Sequence, residues 1–249
     1  VVHMMTDNNR NWVPSMSTYI DEEALMKLIQ RHGYIEFLRR NRERSIIKVV
    51  SGIRRCGKST LFRLFKDELL AEGVKPEQII SINFEELEYE PLRDYHRLYQ
   101  YILNQMQPNQ MNYIFLDEIQ HVDQFHRVVD SLFVKENTDI YITGSNAYFM
   151  SSDIATLLTG RYVEIQMLPL SFAEFYYSKY EEQQYSLIPA YEEYLRESSF
   201  PYTQQLGGED FDIQEYLRGL YNTLLLHDVV ARLKINDVTM LQDIVRYIM

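Results

Sequence analysis

Nine consecutive residues, Gly52-Ile53-Arg54-Arg55-Cys56-Gly57-Lys58-Ser59-Thr60, match the pattern G-x4-G-K-[ST]. Each fixed position has a task in holding a polyphosphate. The glycines let the backbone turn so that successive N–H groups converge on phosphate oxygens, and a helix starting at the loop's end adds its positive N-terminus. Lys58 would neutralise the β- and γ-phosphates, and Ser59 would coordinate Mg²⁺. The whole run from Gly52 to Thr60 is therefore expected to bind nucleotide. Arg54 and Arg55, at its variable positions, are expected to face solvent rather than phosphate. Cys56, flanked by Arg55 and Lys58 beside a helix N-terminus, is expected to be a reactive thiol that favours the thiolate.

Tyr113-Ile114-Phe115-Leu116-Asp117-Glu118 is an apolar strand that ends in two carboxylates. Asp117, at the strand's C-terminal edge, can hold Mg²⁺ through water, which leaves Glu118 to orient and polarise an attacking water. A glutamate in that place suits hydrolysis rather than transfer to a substrate hydroxyl. No N-K-x-D motif for reading guanine is present, so ATP is the expected nucleotide. Ile140-Tyr141-Ile142-Thr143-Gly144-Ser145-Asn146 is another strand ending in polar groups. Asn146, with Ser145 second, is the candidate for contacting the γ-phosphate or the lytic water. Arg161, in Thr159-Gly160-Arg161 ahead of a fifth strand, is expected near the same C-terminal face. There a guanidinium would stabilise the transferring phosphoryl group, in cis or from a neighbouring subunit.

These residues need strands to present them and helices to cover the strands. Ile46 to Ser51 is a β-branched run leading into Gly52, the pattern of a buried parallel strand. Leu61, Phe62, Leu64, Phe65, Leu69 and Leu70 then form a helical stripe closed by Gly73. Further strands are read at Ile79–Phe84, Tyr113–Leu116, Ile140–Thr143 and Tyr162–Gln166, each separated by enough chain for a crossover helix. The expected fold class is α/β: a mainly parallel five-stranded P-loop NTPase sheet with helices on both faces, followed by a smaller helical region. A helix from Asp21 to about Arg40 precedes the sheet. Residues 1–18 read as a disordered or vector-derived lead-in, 19–170 as the ATPase core, and 171–249 as the helical start of a truncated second domain. The tyrosines at 176, 177, 180, 185, 191 and 194 have acidic neighbours and are read as core or interface packing residues rather than as a surface for stacking bases.

Composition narrows the classes further. Hydrophobic residues make up 46% and charged residues 24% of the 249-residue chain, ordinary globular usage. A net charge of -11 removes the overall basic footprint of a nonspecific nucleic-acid binder. The single cysteine excludes an internal disulfide, and no run approaches the roughly 18 apolar residues of a membrane span. A cytoplasmic location without membrane association is the resulting expectation.

The Gly-Ile-Arg-Arg-Cys-Gly-Lys-Ser-Thr loop, the Leu-Asp-Glu-Ile-Gln segment, the Thr-Gly-Ser-Asn turn and Leu-Pro-Leu-Ser-Phe-Ala-Glu-Phe together resemble a prokaryotic AAA-type P-loop ATPase family. The likeness runs from about Ile46 to Phe175. It implies an ATPase core of the additional-strand class followed by a C-terminal domain of unknown function. It also implies that Gly57, Lys58, Ser59, Asp117 and Glu118 serve nucleotide binding and catalysis, with Asn146 and Arg161 beside them. The expected function is Mg-dependent ATP binding and hydrolysis, with turnover driving a conformational change in the chain or a partner. The alternative is a slow nucleotide-gated switch. A homo-oligomer or a protein partner fits either.

Overall fold

The computed structural model describes residues 29, 31–145, 158, 160–180, 185–206, 210–224, 230 and 237–248. Of the helix expected from Asp21, the described part is α1, His32–Asn41; the lead-in 1–18 lies outside the described residues. The core continues as β1 (Ile47–Gly52), α2 (Lys58–Ala71), β2 (Ile79–Asn83), α3 (Tyr95–Gln105), β3 (Asn112–Asp117), α4 (Phe125–Phe133), β4 (Thr138–Ser145) and β5 (Tyr162–Met167). Each strand differs from its sequence-read span only at the ends.

The sheet order is β2-β3-β4-β1-β5, and every pairing is parallel. Parallel neighbours need crossover connections, so both faces are covered. Strand side chains alternate between those faces with period two. Val49, Ile114, Leu116, Ile140 and Ile142 pack with Leu98 and Ile102 of α3 and with Val128 and Leu132 of α4. Val50, Tyr113, Phe115 and Tyr141 pack with Leu38 of α1 and with Leu61, Phe62, Phe65 and Leu69 of α2. On this second face the Phe115 and Tyr141 rings stack at 4.6 Å, and Phe62 meets Phe115 edge-on at 5.2 Å. Each such fully buried side chain contributes about 1.5–3 kcal/mol.

Lys48 is wholly buried on the same face, where the sequence shows only one charged letter in an apolar strand. It is ion-paired with Asp139, which also accepts a 2.6 Å bond from the Tyr141 hydroxyl and a 2.8 Å bond from the Glu43 N–H. Burial pushes the Lys48 ammonium's pKa down, and Asp139 opposes that shift.

Beyond the sheet come α5 (Phe172–Tyr180), α6 (Leu187–Glu197), a 3-10 segment at Pro201–Gln205, α7 (Asp210–Thr223) and α8 (Val238–Ile248). Phe175, Tyr180 and Ala190 form their own small core with Tyr176 and Tyr194 packed against it. Tyr177, Tyr185 and Tyr191 are 64%, 37% and 47% exposed, though Tyr191 still meets the Phe172 ring edge-on at 5.1 Å. Helical periodicity explains Tyr177, since the faces of Tyr176 and Tyr180 turn inward and its own turns out. Leu170, where the sequence divides the chain, lies in the β5–α5 connection. Its N–H bonds the Ser199 carbonyl at 2.7 Å, and its carbonyl accepts from the Tyr194 hydroxyl at 2.8 Å.

Candidate functional site

Strand β1 delivers Gly52 to the C-terminal edge of the sheet, beside Ser145 of β4 and Met167 of β5. A Cβ on Gly52 would stand 2.4 Å from the Met167 carbonyl oxygen and 2.9 Å from the Cys56 sulfur, so only glycine fits. Gly57 has φ +103°, the left-handed region that a side chain disfavours, and α2 starts at the next residue. The two fixed glycines thus have separate reasons: close approach of a neighbouring strand, and the turn that aims the helix N-terminus back over the loop.

Lys58, only 4% exposed, extends back along the loop. Its Nζ donates to the carbonyls of Gly52 and Ile53 at 3.3 and 3.4 Å and lies 3.1 Å from Glu118 Oε1. Asp117, last residue of β3, accepts a hydrogen bond from the Thr143 hydroxyl and lines one cavity with Ser59. Burial pushes the Asp117 carboxyl pKa up, and the Ser59 and Thr143 hydroxyls oppose that shift. Glu118 follows with φ +53°, its N–H bonded to Thr143 Oγ1 at 2.9 Å and its Oε2 accepting from Gln120 Nε2 at 2.5 Å. Lys58, Ser59, Asp117 and Glu118 therefore converge at one sheet edge, next to the strand-order reversal around β1 and β4 where open α/β sheets bind ligands.

A hard cation suits this donor set. The Ser59 hydroxyl and the Asp117 carboxylate line one cavity, and both are oxygen ligands of the kind Mg²⁺ takes alongside water and phosphate. Beside the loop, a cavity of about 340 Å³ opens between Gly57, Thr60 and Leu64 on one side and Met167, Pro201 and Gln204 on the other.

Other sequence-read residues fare differently. Arg54 pairs with Glu85 at 2.6 Å, and Arg55 is exposed with φ +68°, so neither is drawn into the loop's interior. Asn146 lies outside the described residues, whereas Ser145 ends β4 level with Gly52. Arg161 is not brought to the site. Its carbonyl accepts from the N–H of Ile47, the first residue of β1, which puts it at the opposite, N-terminal edge. That is about 15–20 Å along the strand from Gly52. Its guanidinium pairs with Asp130 at 3.1 Å and lies over the Phe133 ring. The residue precedes a parallel strand, and residues that precede such strands gather away from the phosphate-facing edge. Cys56 also departs from expectation: it is fully buried, and burial pushes its thiol pKa up despite Lys58 and Arg31 nearby.

Three functional contacts escaped the sequence reading. Thr143 bonds both carboxylate-bearing residues, and its signal was the polar β-branched residue in the strand adjoining β3. Gln120, two residues past Glu118, holds that carboxylate from the following turn. Arg31 contacts the phosphate loop from ahead of α1, where nothing in the sequence marks it.

A family model described as AAA domain matches residues 44–176, more than half of the chain. The chain belongs to this AAA domain family of P-loop ATPases. An uncharacterized protein of Haemophilus influenzae is 37% identical over 224 residues, covering 89% of this chain and 55% of the relative. One of Methanocaldococcus jannaschii is 32% identical over 208 residues, covering 77% of this chain and 44% of the relative. The chain thus spans about half the length of these relatives. Among solved structures, AMPPCP-bound DnaA from Aquifex aeolicus aligns with a TM-score of 0.46 at 10% identity, covering 80% of this chain and 62% of that one. Saccharomyces cerevisiae RIF2 aligns at 0.43 and 14%, covering 67% and 70%. No helix among the described residues is long and apolar enough to cross a membrane.

Proposed function

We propose that the chain binds Mg-ATP and hydrolyses its β–γ bond. The observation that carries the reading is the convergence of Lys58, Ser59, Asp117 and Glu118 around one helix N-terminus. In this reading the N–H groups from Gly57 to Thr60 and the Lys58 ammonium hold the phosphates. Ser59 and Asp117 hold the metal, which when bound would neutralise phosphate charge. Glu118 takes a proton from the attacking water, and Thr143 keeps both carboxylate-bearing residues in place. The cavity beside Gly57 and Thr60 is the seat of the adenine, since it continues directly from the phosphate loop.

A second reading, a slow nucleotide-gated switch, is favoured by one feature. Both Glu118 oxygens are engaged, one with Lys58 and one with Gln120, so hydrolysis requires the carboxylate to leave at least one of them. A single set of measurements separates the two. ATP affinity and steady-state turnover are measured with wild type, Lys58→Ala and Glu118→Gln. Turnover well above one per minute that Glu118→Gln removes without loss of binding supports the ATPase. Tight retention with almost no turnover supports the switch, and absence of any nucleotide binding overturns both.

A further inference from the structure

Arg31 is 4% exposed, and its guanidinium is shared among three parts of the molecule. Nη1 donates to the Cys56 carbonyl of the phosphate loop at 3.3 Å. Nη2 donates to the carbonyls of Leu168 and Pro169, just past β5, at 2.9 and 3.4 Å. Nε donates to Glu174 Oε1 on α5 at 2.5 Å. The other Glu174 oxygen accepts from the N–H and hydroxyl of Ser171 at 2.8 and 2.9 Å, which caps the start of α5. The face of the guanidinium rests on the Tyr34 ring at 4.6 Å, and the Tyr34 hydroxyl accepts from the Leu168 N–H at 3.2 Å. A buried arginine bound on every side is held in a single pose, and its planar fork carries that geometry to its partners.

The contact to Cys56 bears on phosphate binding through peptide geometry. In a trans peptide the C=O and the following N–H point in opposite directions from one rigid plane. Anchoring the Cys56 carbonyl therefore fixes the Gly57 N–H on the opposite side of that peptide, facing away from Arg31. Gly57 lacks the side chain that would otherwise restrict this peptide's rotation, and its φ of +103° is one that glycine enters and leaves freely. An external anchor is what selects one orientation.

We propose that Arg31 is a positioning residue for the nucleotide phosphates, and that its ion pair with Glu174 makes this positioning depend on the seating of α5. The inference rests on the ATP-binding reading and adds a regulator to it: the C-terminal helices set the phosphate loop's affinity. Linkage requires the converse, so bound nucleotide holds α5 more firmly. The effect enters at the loop that would hold the β-phosphate, and so applies equally to ADP and ATP.

The test titrates fluorescent ADP and ATP into wild type, Arg31→Lys, Arg31→Gln, Glu174→Gln and Lys58→Ala, with hydrogen exchange over residues 172–180 measured with and without Mg-ADP. Glu174→Gln is expected to weaken both nucleotides by about 5- to 30-fold, within the usual range of coupling between sites. Arg31→Gln should lose more, and Arg31→Lys should recover part of that loss. Nucleotide should slow exchange in α5 of wild type but not of Glu174→Gln, a readout that a purely structural staple would not move. Glu174→Gln that binds both nucleotides like wild type, with the same protection of α5, overturns the proposal. Should the Arg31 variants fail to fold, Glu174→Gln still decides, because it leaves Arg31 in place. Wild type that binds no nucleotide overturns the ATP reading and this proposal together. Binding by wild type that Lys58→Ala removes keeps the reading and leaves the Glu174 comparison to judge the proposal alone.

Discussion

Lys58 Nζ and Glu118 Oε1 are 3.1 Å apart, so the cation assigned to the phosphates is bonded to the carboxylate assigned to the attacking water. A polyphosphate arriving at Lys58 competes with Glu118 for the ammonium. Lys58→Ala should therefore abolish measurable ATP binding, because the loop loses its buried charge. Glu118→Gln should bind ATP at least as tightly as wild type, since a neutral amide holds Lys58 less strongly. Its hydrolysis should fall by about 10²–10⁴, the scale of a lost general base. Calorimetric titration beside a phosphate-release assay checks both, and equal loss of affinity in the two variants would defeat this division of labour.

Thr143 donates to Asp117 and accepts from the Glu118 N–H, so it bonds both residues. Thr143→Val keeps the shape but leaves a buried N–H without its acceptor, at a cost of about 1–3 kcal/mol. Turnover should drop by at least tenfold while Thr143→Ser restores it. A valine variant with unchanged melting temperature and turnover would remove Thr143 from the site.

Burial raises the Cys56 thiol pKa, so at neutral pH the group is protonated and shielded. Native protein should resist maleimide with or without ATP, and rapid labelling should begin only on denaturation. Because the pKa moves up, raising the pH to about 8.5, where an ordinary thiol is half ionised, should not bring native labelling to the rate of a free thiol. Fast labelling at pH 7 that ATP suppresses would restore the reactive-thiol expectation.

Arg161 lies at the N-terminal edge of the sheet and pairs with Asp130. Arg161→Ala should leave ATP affinity and turnover per chain unchanged in dilute solution. Its effect on stability should stay within about 1 kcal/mol, as for other exposed pairs. Turnover per chain that rises with protein concentration in wild type but not in the variant would instead assign Arg161 to a neighbouring subunit's site.

Local patterns carried much of this protein. The spacing Gly52, Gly57, Lys58 and Ser59, the strand ending in Asp117 and Glu118, and five strand-like runs separated by crossover lengths were all legible, because each depends on residues close in the chain. Order within the sheet, with β4 between β1 and β3, is set by pairing between segments far apart in the chain and was given by the structure. Orientation across the sheet was less accessible. Arg161 and Gly52 both adjoin strands, yet one precedes its strand and the other ends its own, and parallel pairing sends them to opposite edges. Burial was also out of reach at single letters. The sequence singled out neither Lys48 nor Arg31 and made Cys56 a reactive thiol, because the groups that bury them, Asp139, Glu174 and Met167, lie far along the chain. A side chain's desolvation and pairing depend on what packs over it, so only the tertiary structure decided which charges are buried and which residues hold the phosphate loop in place.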